Sequence, residues 1–420
     1  MKINKLFRIY ILNRVMHWLI VGVNIPVITM ILLDKELDFL QIGLIFSIQS
    51  ATVVLFELPS GAMSDAIGRK KVYLLALIMM LLCSILFMFS YGFNLLCLVV
   101  IINGLAQALS SGTIEAWFVD EFNKIDKEEN LQEFLSKAQI ATLISLSVSS
   151  VVGGILPKTL GKLIKDTFGL SIYSGNFTVQ IVLLIIHLTV TILLIKEASH
   201  ESRNRSILGG VKTIPTVLKI SIKEGIENRC IFLLLTTAIA WGIGFSGLET
   251  FWQPKVKIIV GLTSDDSILG ILNAGYFFAG AAGSFIITYI CKLFKNDSIK
   301  ILIVLRSMLG GFFILLAFQS NIIGFSICYL MLYSINGMSE SPYYTIFNRK
   351  VKERNRATLL SLESLFMKAG AMIGMVMMGY VSQKYSISFG WIISGGVMIL
   401  SSLAFIVLYK IEKLNNNILE

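Results

Sequence analysis

Twelve runs of mostly apolar residues take up most of this sequence, near residues 9–33, 39–59, 72–91, 94–118, 135–156, 176–195, 230–252, 267–290, 300–318, 322–346, 358–381 and 388–409. About 20 such residues suffice to cross a hydrocarbon layer as one helix. Backbone polar groups cannot be left bare in lipid, so each run must close its hydrogen bonds within itself. These runs therefore predict an all-α integral membrane protein. Only 15% of the 420 residues are charged and 55% are hydrophobic, whereas a soluble domain carries roughly 25% charge.

The loops say how the spans are oriented. With the N-terminus placed in the cytoplasm, inner segments hold 25 Lys and Arg, counting Lys300 at the edge of its span, and outer loops hold seven, the bias expected of cytoplasmic loops. Both termini are then inside, as an even number of spans requires. Met1–Arg8 is a short basic start, and the apolar run after it lacks a small-residue cleavage site, so it reads as a first span rather than a signal peptide. The net charge of +10 is scattered over short loops instead of forming one basic face, which argues against nucleic acid as a partner. Cys83, Cys97, Cys230, Cys291 and Cys328 lie in or beside apolar runs with no metal-type spacing, and only three histidines exist. No metal site is expected, and the cysteines read as small core residues.

The stretch 196–229 is the one long polar interruption, and it parts the spans six and six. The expected organisation is an N-terminal six-helix lobe, 1–195, a cytoplasmic linker, 196–229, and a C-terminal lobe, 230–420. The two halves repeat at an offset of 225 residues. Gly112 and Glu115 fall on Gly337 and Glu340, Phe122-Asn123 on Phe347-Asn348, Leu135-Ser136 on Leu360-Ser361, and Gly154 on Gly379. Matches at polar and glycine positions are not a by-product of shared hydrophobicity, so the fourth and fifth spans correspond to the tenth and eleventh in parallel topology.

Between the second and third spans lies Gly61-Ala62-Met63-Ser64-Asp65-Ala66-Ile67-Gly68-Arg69-Lys70-Lys71. Glycines at 61 and 68 would permit a tight turn and a close helix approach. Asp65 could accept from backbone donors at a helix N-terminus, and Arg69 could bridge it to Asp120. A positive-inside loop alone would explain the cations but not the acid and the glycines. The segment resembles the signature loop of the major facilitator superfamily, in which a Gly is followed by three residues, Asp, two residues, and Gly-Arg-Lys. That resemblance implies twelve helices in two six-helix pseudo-symmetric lobes. It also implies that this loop, with Lys70, latches the lobes on the cytoplasmic side while the transporter faces outward. Glu57-x-Pro59 extends the motif into a form similar to that of tetracycline and related multidrug exporters. The arginine that proton antiporters carry in the fourth span is replaced by the run Val100–Gly104, and their fifth-span glycine-proline motif is reduced to Gly153-Gly154.

Ionisable side chains within spans are costly, so they face a cavity or a partner. Glu115 and Glu340 form the symmetric pair, about 12 Å along the helix from its end by the rise per residue. By the resemblance, spans 1, 4, 7 and 10 line the cavity and both acids could face it, with Trp117 beside Glu115. Lys368, whose repeat partner is Leu143, breaks the symmetry near the midplane; it could pair with Glu340 or Glu115, with Glu363 a turn and a half below. Arg14 is expected to snorkel, His17 to be either a packing residue or a proton carrier, Glu249 to be a gate or interfacial, and His187 to face the outer layer.

The leading expectation is secondary active export of a small amphipathic compound, such as an antibiotic, by alternating access. Proton entry would drive it without a cofactor, since no nucleotide-binding loop is present. Glu115 or Glu340 would load and release the proton. The protein would work as a monomer in the bacterial cytoplasmic membrane. Uptake of a metabolite whose carboxylate Lys368 holds is the alternative. A lipid-acting membrane enzyme is a third, but no catalytic constellation supports it, and the chain is not expected to be an enzyme.

Overall fold

A computed structural model describes residues 3–125, 130–197, 227–262, 265–351 and 356–419. The described residues are helical with short connections and contain no strand. Among the described residues, twelve helices are long and apolar enough to cross a membrane. They are α1 (Ile3–Asp34), α2 (Phe39–Ile67), α3 (Arg69–Phe89), α4 (Phe93–Ile125), α5 (Leu131–Phe168), α6 (Ser174–Leu194), α7 (Arg229–Val260), α8 (Ser267–Leu293), α9 (Ser298–Ala317), α10 (Ile322–Lys350), α11 (Leu359–Lys384) and α12 (Ile387–Leu414). Most of the 196–229 segment read as a linker lies outside the described residues.

Two compact units divide the chain. The first takes residues 1–37, 48–213 and 265–274, and the second takes 38–47, 214–264 and 275–420. The start of α2 thus groups with the second unit, and the start of α8 with the first. Each unit has its own apolar core. Tyr10, Tyr73, Trp117, Phe118 and Phe122 anchor one; Leu234, Leu302, Phe347, Leu362 and Phe405 anchor the other.

Several helices are broken where the chemistry of the chain dictates. In α1 the α-helical segment ends at Gly22, a 3₁₀ turn covers Ile25–Val27, and the helix resumes at Ile28. Pro26 has no N–H to give, so carbonyls one turn earlier lose their helical donor. Side-chain amides from α6 replace it. Asn176 Nδ2 donates to Val23 O at 3.1 Å and to Gly153 O at 2.8 Å. Gln180 Nε2 donates to Ile20 O at 3.2 Å, and its Oε1 accepts from Asn24 Nδ2 at 2.8 Å and from Ser84 Oγ at 2.9 Å. The α1–α5 approach is close enough that a Cβ on Gly153 would stand 2.0 Å from Val23 O.

A second break falls in α4. The helix from Phe93 stops at Ser110, Gly112 takes φ +65°, and a new helix runs from Thr113 to Ile125. Glu115 therefore stands in the first turn of a helix, where unpaired N–H groups and the peptide dipoles favour an anion. The fifth span is also longer than its apolar run: a 3₁₀ turn at Leu156–Lys158 leads into the helix Leu160–Phe168.

Candidate functional site

The α2–α3 junction is built around Gly68, whose φ of +103° would strain any side chain. Arg69 Nη2 lies 3.0 Å from Asp120 Oδ2 and 3.8 Å from Asp65 Oδ1. The donors at the start of α3 go to a residue that the sequence did not single out. Glu197 accepts from Arg69 N at 2.8 Å and from Lys70 N at 3.1 Å, whereas Asp65 is an ion-pair partner of Arg69. Lys70 Nζ donates to Ile192 O at 2.8 Å, which ties the end of α6 to the same corner. Gly61 allows no close approach: a Cβ there would meet nothing within 4 Å.

Within the first unit, Arg14 does not snorkel. Its Nη1 lies 3.1 Å from Glu115 Oε2, its Nε donates to Thr142 Oγ1 at 3.2 Å, and its Nη2 reaches Gln139 Oε1 at 3.5 Å. The guanidinium thus joins α1 to the resumed turn of α4 and to α5. Glu115 remains 43% exposed and Arg14 only 18%, so the carboxylate is open to water while its cation is largely covered. Beside them the Tyr73 hydroxyl stands 3.2 Å from His17 Nδ1 and 3.0 Å from His187 Nε2. With one proton, the hydroxyl donates to one ring nitrogen and accepts from the other. His187 is fully buried, not on the outer layer: a polar ring on an apolar helix turns inward when a partner awaits it there. Trp117 is 2% exposed and belongs to the core, its Nε1 donating to Lys196 O at 3.4 Å. Glu57 is half-buried ahead of Pro59.

The second unit holds a different arrangement. Glu363 is buried beside Tyr343 and Tyr344, in electrostatic reach of Arg306 of α9, and the Tyr343 hydroxyl donates to Leu234 O at 3.2 Å. Arg306 is 4% exposed, with Nη1 directed at Met398 Sδ and its Nε unpartnered among the described residues. Sequence reasoning passed over it, although its repeat position, Leu81, would have marked it as a cation that breaks the repeat. Glu340 is exposed and Lys368 half-buried. The position that repeats Arg14 is Ile239, and among the described residues no salt bridge to Glu340 is formed.

In the first unit, loop groups around α5 and α8 form a further polar cluster. Lys158 is paired with Asp265, the Tyr173 hydroxyl donates to Asp266 Oδ2 at 3.1 Å, and Asn273 Nδ2 donates to Ser150 Oγ at 2.8 Å. Burial pushes the Asp265 carboxyl up, but hydrogen bonds from Lys158 and Ser267 outweigh it and hold the group below its ordinary value. Lys35, at the end of α1, is buried; its ammonium donates to Ser90 O at 2.6 Å and lies 4.2 Å from the centre of the Tyr91 ring. Desolvation lowers its pKa to about 8 against the pull of Asp34. No cluster of three metal-ligating side chains occurs among the described residues.

These features sit in a chain with clear relatives. It is 22% identical over 398 residues to the uncharacterized MFS-type transporter YxaM of Bacillus subtilis (strain 168), covering 94% of each chain. It is 23% identical over 399 residues to the hexuronate transporter of the same organism, covering 89% of this chain and 86% of that one. The fold is similar to a crystal structure of the nucleoside transporter NupG, with TM-score 0.76 at 14% identity over 96% of this chain and 99% of that one. It is also similar to a bacterial homologue of the iron transporter ferroportin in an inward-facing state, with TM-score 0.75 at 14% identity over 97% and 99%. The model of the Major Facilitator Superfamily matches residues 10–362, and the chain is a membrane transporter belonging to that superfamily.

Proposed function

We propose that this transporter couples proton entry to the export of a small amphipathic compound by alternating access, and that Glu115 carries the proton. The Arg14–Glu115 ion pair supports this most directly. A carboxylate open to water can be protonated, and protonation removes the counter-ion of a guanidinium that is largely covered. An uncompensated covered cation is costly, so the α1–α4 contact is driven to rearrange. Proton binding and conformation are then linked, and linkage is reciprocal. Export as the direction rests on the Glu57-x-Pro59 form of the loop motif. We place both termini in the cytoplasm of a bacterial cell, on the Lys and Arg bias of the loops, with residues 1–195 and 230–420 as the two lobes of a monomer.

The reading is tested by expressing the chain in a pump-deficient bacterium and measuring susceptibility to tetracyclines, macrolides and lipophilic cations. Raised resistance that is lost in Asp65→Asn, at equal membrane expression, is the expected result. Unchanged susceptibility to every compound overturns export. Similarity to the hexuronate transporter favours a second reading, uptake of an anionic metabolite held by Lys368. Substrate accumulation in cells that disappears in Lys368→Met would establish it in place of export.

A further inference from the structure

The start of α9 and the ends of α10 and α12 surround a cavity of about 380 Å³ in the second unit, near the lower end of the roughly 300–1,000 Å³ range of ligand pockets. Arg349, Lys350 and Lys413 line it, together with the acids Asp297 and Glu412 and the ring of Tyr409. Both acids are already engaged. Lys350 is paired with Glu412. Asp297 accepts from Lys300 N at 3.1 Å and lies 3.1 Å from Lys300 Nζ. Arg349 and Lys413 are exposed, and neither forms an ion pair among the described residues.

A cavity whose acids are neutralised by their own lysines, and which keeps two further cations, suits an anion. Ser298 and Ile299, the first residues of α9, line it as well, and first-turn N–H groups favour negative charge. A positive-inside bias explains cations at these helix ends; it does not explain a cavity in which two fixed ion pairs leave two cations over. An anion met by a guanidinium, an ammonium and backbone N–H groups needs acceptor oxygens on several sides. A tetrahedral phosphate has them, and Arg and Lys both bind it, whereas a planar carboxylate does not. The apolar surface beside the cavity bears on what carries the phosphate. Lys300 Nζ lies 5.2 Å from the centre of the Tyr409 ring, and one and two turns along α9 from it Val304 and Met308 are exposed. An acyl chain would cover that stripe beside a phosphate held at the cavity.

We infer that this cavity binds a phosphate group, with Arg349 and Lys413 as its charge partners, carried by an anionic phospholipid or by a soluble phosphate compound. The site does not depend on the transport reading above. On the topology proposed there, it lies at the cytoplasmic face.

Native mass spectrometry of the purified full-length chain tests the site with dioleoylphosphatidylglycerol against dioleoylphosphatidylcholine. The two lipids share their chains and their phosphate, and in the second the choline cancels the phosphate charge. The wild type should retain the anionic lipid on the order of tenfold more tightly. Arg349→Gln combined with Lys413→Gln should lose that preference while eluting as the same monodisperse species. Lys413→Glu alone, at an exposed position, should weaken it several-fold. Lys124→Gln combined with Lys137→Gln removes the same charge from the first unit and should leave the preference unchanged. Thermal unfolding with inorganic phosphate separates the two sources. Lipid preference that millimolar inorganic phosphate does not reduce assigns the site to a phospholipid. Stabilisation by inorganic phosphate that is lost without Arg349 and Lys413, in a chain that shows no lipid preference, assigns it to a soluble phosphate compound. A preference that survives the loss of Arg349 and Lys413 overturns the site, as does an equal loss on removing Lys124 and Lys137. A wild type that distinguishes neither the two lipids nor added phosphate overturns it too.

Discussion

At the scale of single residues, the informative positions are those where a side chain is held away from its ordinary state. Lys35 is one: buried at the end of α1, it has a pKa lowered to about 8 by desolvation. Below that pH the group is charged in both the folded and unfolded states, and the full cost of burying the charge is present. Between about 8 and the ordinary 10.5 the folded chain gives up the proton first, the unfolded chain binds more protons, and stability rises with pH. Apparent unfolding temperatures of purified protein should therefore climb more steeply from about pH 7.5 to about pH 10 in the wild type than in Lys35→Met. Parallel curves would show that the amine stays charged where it lies. Neither the Ser90 carbonyl nor the Tyr91 ring that receive Lys35 can be inferred from spacing along the sequence. Much the same holds for Glu197. It caps α3 at Arg69 from 128 residues away, a distance along the chain that no local motif bridges.

The elements teach a different lesson, because hydropathy finds spans and averages away their breaks. All twelve spans were legible, yet α1 and α4 were each read as unbroken. For α4 the signal was present: Ser110-Ser111-Gly112-Thr113 is poor helix sequence inside a good apolar run. Its repeat shows why such a signal is ambiguous. Gly337 aligns with Gly112 but lies inside continuous α10, where a Cβ would come within 2.2 Å of Gly280 O. One glycine is needed for its positive φ and the other for a close approach. The break in α1 depends on a patch from elsewhere, the amides of Asn176 and Gln180. Asn176→Leu would leave Val23 O and Gly153 O without a donor in the buried interior, at about 1–3 kcal/mol for each orphaned group. The apparent unfolding temperature in detergent should fall by several degrees, whereas Thr178→Val on the neighbouring turn should change it little. An unchanged value for Asn176→Leu would mean that water or a shifted Asn24 takes over both carbonyls.

For the whole molecule, the family and the twelve-helix fold could be read from composition, the loop motif and the repeat, all of which are distributed features that survive low identity. The polar pairing inside the membrane could not, because it depends on which helices face each other. The repeat itself makes this concrete. It places Glu115 and Glu340 at equivalent positions, and by symmetry alone the two acids are equal candidates for proton carriage. The structure distinguishes them. Glu115 stands at the first turn of a resumed helix and is held by Arg14 at 3.1 Å, whereas Glu340 lies within an unbroken helix and the position repeating Arg14 is Ile239. Protonation of Glu115 breaks an ion pair and so can do conformational work, while among the described residues Glu340 forms no such pair. In proteoliposomes with a trapped pH indicator, Glu115→Gln should cut substrate-driven proton movement by at least about tenfold, the effect of roughly 1.4 kcal/mol of lost coupling. Glu340→Gln should stay within about twofold of the wild type, below roughly 0.5 kcal/mol on the same scale. If instead Glu340→Gln uncouples and Glu115→Gln does not, the ion pair is a static brace of the first unit, and proton carriage belongs to the half of the chain that lacks the arginine.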